Sequence, residues 1–175
     1  NLFSPGVRSY LFDVIRFWID EFDIDGIRLD CANVLDFNFM KEMRSQTEAM
    51  KEDFWLMGEV IHGDYSRWVN NEMLHSVTNY ELHKSLYSGF NDHNFFEIAH
   101  NVRRLEAIGR QLYTFVDNHD EDRIATKLKL REHLFPIYIC LFTLPGIPSI
   151  YYGGEWGVEG KRTNTSDEAL RPAIS

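Results

Sequence analysis

Apolar residues recur along the chain at helical spacing, and the first such pattern lies near the start. Leu11, Ile15, Trp18 and Phe22 follow one another at intervals of four, three and four residues, which predicts one apolar stripe on a helix. Pro5, a residue type suited to the first helical position, precedes this stripe. Further helical patterns cover residues 37–51, 94–108 and 134–144.

Shorter apolar runs between these helices predict β-strands. They are GIRLD at 26–30, FWLMGEV at 54–60, SVTNY at 76–80, the start of LYTFVDNHD at 112–120, and GIPSIYYGG at 146–154. Because strands and helices alternate, we expect parallel strands joined by right-handed crossovers in one α/β unit.

Two parallel architectures fit this order of elements. An open doubly wound sheet usually has a glycine-rich phosphate loop after an early strand, and the sequence has none. A (β/α)8 barrel instead carries its chemistry at the carboxyl ends of several strands. Polar residues end the predicted strands here, at Asp30, Glu59, Tyr80 and 117–120. The sequence therefore favours a barrel, and since a barrel needs about 250 residues, we expect this chain to form part of one.

The segment GIRLD carries a charged pair on one face of its strand. Arg28 and Asp30 are two residues apart and share a face, while Ile27, Leu29 and Cys31 share the other. An aspartate facing a barrel interior is costly to ionise unless it is paired. Arg28 can hold Asp30 as an anion, the form that a carboxylate nucleophile requires. An ion pair without chemistry is the alternative.

Two further acids end other strands. Glu59 follows an apolar run with no basic residue close in sequence, which predicts a raised pKa and suits a general acid. His119 and Asp120 close FVDNHD, although an Asn- and Asp-rich turn is also ordinary loop chemistry. The spacings Asp30 to Glu59 and Glu59 to Asp120 correspond to about one and about two βα units. We therefore expect three acids to converge on one rim.

Such a set of acids has two chemical interpretations. Two carboxyl groups of different pKa, about 5 Å apart, are the equipment of a retaining glycosidase. Three carboxylates could also bind magnesium, but the Arg28 charge competes for Asp30. We therefore expect no metal and no cofactor.

Composition limits the partners. Hydrophobic residues make up 44% of the chain, enough for a core. The net charge of -9 argues against nucleic acid, and no apolar run approaches the ~20 residues of a membrane span. Cys31 and Cys140 lie in apolar runs, and we expect both to be buried. The chain begins at Asn1 without methionine, which leaves the cellular compartment open.

The motifs DGIRLD, GEV and FVDNHD, in this order, resemble three short motifs of the α-amylase family, glycoside hydrolase family 13. PGIPSIYYGGEWG resembles that family's further motif around the last barrel strand. The resemblance covers nearly the whole chain. It implies that residues 1–175 are a partial catalytic domain, the fourth to eighth strands of a (β/α)8 TIM barrel, without the first three strands and the inserted domain. Open barrel edges of this kind would favour self-association.

The resemblance also implies a role for each catalytic residue. Asp30 would be the nucleophile of a covalent glycosyl-enzyme intermediate, and Arg28 would keep it ionised. Glu59 would be the general acid and then the base that activates water. Asp120, the third acid, and His119 would bind hydroxyl groups of the reacting sugar.

Substrate recognition is less closely defined. Asn118 beside His119, and Tyr80 at a predicted strand end, are further candidates for substrate binding. The segment CAN after Asp30 lacks the lysine and histidine of calcium-dependent α-amylases and is closer to the cyclomaltodextrinase and neopullulanase type, although Val34 stands where those enzymes carry glutamate. The resemblance implies hydrolysis of α-linked glucans or malto-oligosaccharides. The alternatives are a transglycosylase and a non-catalytic glucan- or protein-binding module.

Overall fold

The computed structural model of the chain describes residues 1–173. The chain divides into two compact units, Asn1–Thr78 and the part from Asn79 onward. Within the described residues, no helix combines the length and the apolar character needed to cross a bilayer.

The first unit contains two α-helices and a three-stranded parallel sheet. In chain order its elements are α1 (Pro5–Phe22), β1 (Gly26–Leu29), α2 (Phe37–Met50), β2 (Trp55–Gly58) and β3 (Ser76–Val77). The strand order is β1-β2-β3, and Leu29 lies opposite Gly58 in the register. The predicted parallel pairing is confirmed in this unit.

Helix α1 buries only part of the stripe that its sequence predicts, since Ile15 is buried but two other members are exposed. Phe12, Ile15 and Ile19 are buried, whereas Trp18 and Phe22 are 47% and 59% exposed. Apolar residues occur on several faces of this helix, so spacing alone could not decide which face packs inward.

The two helices of the first unit are joined by aromatic and ionic contacts. The rings of Phe12 and Phe39 stack with their centroids 5.6 Å apart. Asp36 caps α2 by accepting a hydrogen bond from the Phe39 N–H at 2.9 Å. Arg8 on α1 forms ion pairs with Asp36 at 2.8 Å and with Glu42 at 2.7 Å. These contacts fix the helices that precede and follow β1.

The second unit is mostly helical. Its elements are α3 (Tyr80–Asp92), α4 (Phe96–Arg104), β4 (Tyr113–Thr114), α5 (Ile124–Lys127), α6 (Leu134–Thr143) and β5 (Ile147–Pro148). β4 and β5 pair in parallel, with Tyr113 opposite Ile147. Pro136 lies in the first turn of α6, where a backbone N–H has no intrahelical partner in any case. The core consists of Leu82, Leu86, Phe90, Ile98, Val116, Ile124, Leu128, Ile137 and Leu141.

Helix α3 was not predicted from the sequence, which indicated a strand ending at Tyr80. The strand ends at Val77 instead, and Tyr80 is the first residue of α3. The Asn79 side chain starts the helix by accepting a hydrogen bond from the Leu82 N–H at 3.0 Å. Leu82 and Leu86 then lie one turn apart and enter the core. The predicted position of Tyr80 at a strand end is therefore wrong.

Candidate active site

In the first unit, Asp30 and Glu59 follow directly on two neighbouring strands. Because Leu29 lies opposite Gly58 in the parallel register, the next residue of each strand emerges at the same edge of the sheet. The Glu59 N–H donates to the Leu29 carbonyl at 2.8 Å, and the Ala32 N–H donates to the Glu59 carbonyl at 2.8 Å. The backbone therefore fixes both acids relative to each other.

The Arg28 guanidinium contacts both carboxylates. Its Nη1 lies 3.0 Å from Asp30 Oδ1, and its Nη2 lies 3.1 Å from Glu59 Oε1. The predicted pairing of Arg28 with Asp30 is confirmed. Glu59 has no basic residue close in sequence, but the pairing of β1 with β2 brings Arg28 into contact with it.

The two carboxylates have different surroundings. The Asp30 side chain is 76% exposed and that of Glu59 is 8% exposed. Glu59 Oε2 also accepts a hydrogen bond from the Cys31 N–H at 3.1 Å. The expectation that Asp30 lies within an apolar interior is therefore not met in this unit. Because Asp30 is exposed, its ion pair with Arg28 does not offset a cost of burial.

Cys31 also departs from its expected place. It is exposed, and its backbone has φ 46° and ψ 44°, a left-handed conformation that is uncommon for residues other than glycine. The turn takes the chain away from β1 directly after Asp30. Cys140 packs against the core of the second unit and is partly buried, so it meets the expectation of burial in part.

Asp30, Cys31 and Glu59 could together offer ligands to a cation. One ligand atom from each of them lies within 4.8 Å of the others. However, Arg28 already places its positive charge against both carboxylates. The negative charge of Asp30 raises the pKa of the Cys31 thiol, with lesser contributions from desolvation and from the charge of Glu59. A protonated thiol is a poor metal ligand, so this donor set suits carboxylate chemistry better than metal binding.

In the second unit, a loop that follows β4 carries the motif FVDNHD. The buried Asp117 closes the base of this loop, because its Oδ2 accepts a hydrogen bond from the Ile124 N–H at 2.8 Å. Burial raises the pKa of Asp117. The fully buried Arg123 lies beside it, with Nε 3.5 Å from Asp117 Oδ2.

Asn118, His119 and Asp120 lie on this loop in contact with one another. Asn118 Oδ1 accepts from the Asp120 N–H at 2.9 Å, and Asn118 Nδ2 donates to the Tyr80 hydroxyl at 3.0 Å. His119 Nε2 lies 3.0 Å from Asp120 Oδ2. The structure therefore brings together the four site residues predicted in this unit, but Tyr80 contacts the loop from the first turn of α3.

Arg171 is a site residue that the sequence did not indicate. Its Nη2 lies 3.2 Å from Asp120 Oδ1, and its Nε donates to the His119 carbonyl at 3.1 Å. A lone arginine 51 positions from its partner gives no pattern to detect. It supplies Asp120 with the cationic partner that Asp30 has in Arg28.

The fold and these motifs define a class of protein. Residues 1–174 match the family model for the alpha-amylase catalytic domain, so the chain belongs to the alpha-amylase family. The resemblance identified from the motifs is confirmed.

Particular relatives extend this result. The chain is 34% identical over 165 residues to a maltogenic alpha-amylase of Bacillus acidopullulyticus, and 33% identical over 167 residues to a cyclomaltodextrinase of Thermoanaerobacter pseudethanolicus. Each match covers 90% of this chain, which spans 28% and 29% of the respective relatives. The solved structure of an Anoxybacillus alpha-amylase matches with a TM-score of 0.86 at 30% identity, over 97% of this chain and 40% of that one. The fold class, part of a (β/α)8 barrel, is thereby confirmed.

Proposed function

We propose that the protein is a retaining glycoside hydrolase that acts on α-linked glucans through a covalent glycosyl-enzyme intermediate. The observation that carries this proposal is the pair Asp30 and Glu59, which bring carboxylate oxygens within 4.8 Å of each other. In retaining glycosidases the two carboxyl groups are about 5–5.5 Å apart, whereas inverting enzymes hold them farther apart to admit a water molecule.

The surroundings of the two acids support different roles. Asp30 is accessible and paired with Arg28, which suits an ionised nucleophile that attacks the anomeric carbon. Glu59 is buried beside it, which suits proton transfer. In the first step Asp30 bonds to the anomeric carbon and the glycosidic carbon–oxygen bond breaks, while Glu59 donates its proton to the leaving oxygen. In the second step Glu59 takes a proton from water, and that water's oxygen displaces Asp30.

The residues of the second unit supply sugar contacts in this proposal. Asp120 and His119 are assigned to hydroxyl groups of the reacting sugar because FVDNHD occupies the family's position for that role. Their side chains are 34% and 38% exposed, so both are accessible to a ligand. Asn118 and Tyr80 are assigned to the same substrate-binding set, with the bond between them shaping the surface.

The relatives suggest the class of substrate. A maltogenic alpha-amylase and a cyclomaltodextrinase are among them, and we propose malto-oligosaccharides and cyclic maltodextrins on that basis. Neutral sugars also suit a chain with a net charge of -9. We further propose that the five strands are the fourth to eighth of the barrel, because the four motifs lie on or directly after β1, β2, β4 and β5 in the family's order.

Asparagine in place of Asp30 tests the proposal in the natural protein. Asp30→Asn removes the nucleophile and keeps its size, and we expect release of reducing ends from maltoheptaose and from β-cyclodextrin to fall below detection. Asp13→Asn, at an exposed aspartate on α1, is the matched control and should retain full activity. Products longer than maltoheptaose in the reaction of the unmodified protein would show that it also catalyses transglycosylation.

Two results would contradict the proposal. The first is full activity in Asp30→Asn. The second is the absence of turnover by the folded natural protein on linear, branched and cyclic glucans. Glucan binding without turnover would favour the non-catalytic binding module instead.

A further inference from the structure

Next to Asp120 on the same loop, Glu121 belongs to a partly buried charged cluster in the second unit that the proposed chemistry does not use. The Glu121 carboxylate contacts the Lys127 ammonium, and its Oε2 lies 3.6 Å from His83 Nε2. Lys127 Nζ lies 3.0 Å from the same His83 nitrogen. These three groups, Glu121, Lys127 and His83, are called the loop clamp below.

Two members of the loop clamp, His83 and Lys127, have little exposure to solvent. The His83 side chain is 3% exposed and stacks on Phe115 with the ring centroids 5.1 Å apart. The Lys127 side chain is 14% exposed, and its ammonium lies 4.6 Å from the centroid of the Tyr87 ring. A buried charge is costly without partners, and here each charge faces another member of the clamp.

The charge states within the clamp follow from its burial. Burial lowers the pKa of His83, which favours a neutral ring in the clamp. The His83 ring and the Lys127 ammonium lower the pKa of Glu121 to about 2. Glu121 is therefore held as the anion that faces the Lys127 ammonium.

The position of the clamp gives it a consequence for the active site. Helix α3 contacts the loop on both sides of His119 and Asp120: Tyr80 bonds to Asn118, and His83, one turn further along, faces Glu121. Lys127 lies at the end of α5, which follows the loop in the chain. The two sugar-binding candidates thus lie between two anchored neighbours.

We propose that His83, Lys127 and Glu121 are positioning residues that hold the loop carrying His119 and Asp120 in its sugar-binding conformation. This inference rests on the proposed function for its effect on catalysis, but the geometry of the loop does not depend on it. A displacement of about 1 Å at catalytic groups lowers rates about 100-fold, so a loosened loop should be visible in the kinetics.

Charge-removing variants of the natural protein test the loop clamp. Glu121→Gln keeps the size of the side chain and removes its charge, and Lys127→Met removes the partner charge in case the first variant folds poorly. Glu132→Gln, at an exposed glutamate outside the loop, is the matched control. Each folded variant is compared with the unmodified protein in two measurements. The first is hydrogen–deuterium exchange of the peptide that contains residues 118–121, and the second is the kinetics of maltoheptaose hydrolysis.

We expect faster exchange in this peptide in both clamp variants, and the increase should exceed any increase in the core peptides, which report the global free energy of unfolding. kcat should fall about 10- to 100-fold, with a smaller change in KM because the other glucan contacts remain. The Glu132→Gln control should match the unmodified protein in both measurements.

The two readouts separate failure of this inference from failure of the proposed function. Unchanged exchange of the loop peptide in both folded variants would overturn the clamp, whatever the kinetics. Faster exchange with unchanged kcat would overturn its positioning role. Faster exchange in the clamp variants, together with no glucan hydrolysis by the natural protein, would leave the clamp in place and refute the proposed function.

Discussion

In the first unit, Asp30 and Glu59 follow directly on two paired strands, whereas in the second unit His119 and Asp120 lie on a loop. Backbone register and the Arg28 side chain fix the first pair. Side chains from distant parts of the sequence hold the second. The first arrangement is rigid because strand pairing itself sets it, and the second depends on buried polar contacts that single substitutions can remove.

The base of the loop should show the largest effect on stability. Asp117→Ala removes the carboxylate that accepts the Ile124 N–H and leaves the fully buried Arg123 without its charged partner. Breaking a buried ion pair in this way costs about 3–5 kcal/mol. Urea unfolding of the variant measures the loss.

Glu106→Ala, at an exposed position in the same unit, is the control for this change. It should alter the free energy of unfolding by less than about 0.5 kcal/mol. A loss in Asp117→Ala no larger than that of the control would show that the loop does not depend on this contact.

Substitutions of Arg28 test how the first unit fixes Asp30 and Glu59. Arg28→Met removes the cation that contacts both carboxylates, and we expect kcat/KM on maltoheptaose to fall about 100- to 1000-fold, the usual effect of removing one preorganised electrostatic contact. Arg28→Lys should restore little of this, since one ammonium cannot reproduce a fork that contacts two acids.

Arg16→Met, at an exposed arginine on α1, provides the matched control and should keep its activity. If Arg28→Met also kept its activity while remaining folded, the two carboxylates would not need the Arg28 cation. The account of how the first unit fixes Asp30 and Glu59 would then be wrong.

The pH dependence of stability provides the smallest expected effect. The pKa of Glu121 lies at about 2 in the folded protein, below its ordinary value of 4.5. Its ionisation therefore stabilises the fold fully above about pH 4.5, and this contribution is lost as the pH falls from 4.5 towards 2. Near pH 6 we expect the free energy of unfolding of the unmodified protein to exceed that of Glu121→Gln by about 1–2 kcal/mol. This value allows for the partial exposure of the Glu121 side chain to solvent.

Urea unfolding of both proteins at several pH values measures this difference. It should shrink steadily as the pH approaches 2, since protonated glutamic acid and glutamine are both neutral. A difference that stayed constant over this range would mean that the Glu121 charge contributes nothing to stability.

The sequence predicted the features of the site that depend on short spacing. Arg28 and Asp30 are two residues apart on one strand, so their pairing follows from strand geometry alone. The parallel order of the strands followed from the alternation of patterns, and the family followed from the motifs.

Contacts between distant segments could not be predicted in the same way. Arg28 reaches Glu59 only through the pairing of β1 with β2, and Arg171 reaches Asp120 from 51 positions away. The pattern SVTNY predicts a strand that continues to Tyr80, whereas in the structure Asn79 caps α3, which begins at Tyr80. The loop clamp has no signal in the sequence, since His83, Glu121 and Lys127 meet only in the folded unit.

The covalent intermediate on Asp30 is the central claim of this account, and trapping it is the most direct test. The natural protein would be treated with 5-fluoro-α-glucosyl fluoride, which forms the glycosyl-enzyme quickly and releases it slowly, and its intact mass would be recorded. We predict a gain of one fluoroglucosyl group that peptide mapping places on Asp30 and that is absent from Asp30→Asn. An adduct on another residue, or turnover of maltoheptaose that inverts the anomeric configuration, would contradict the account.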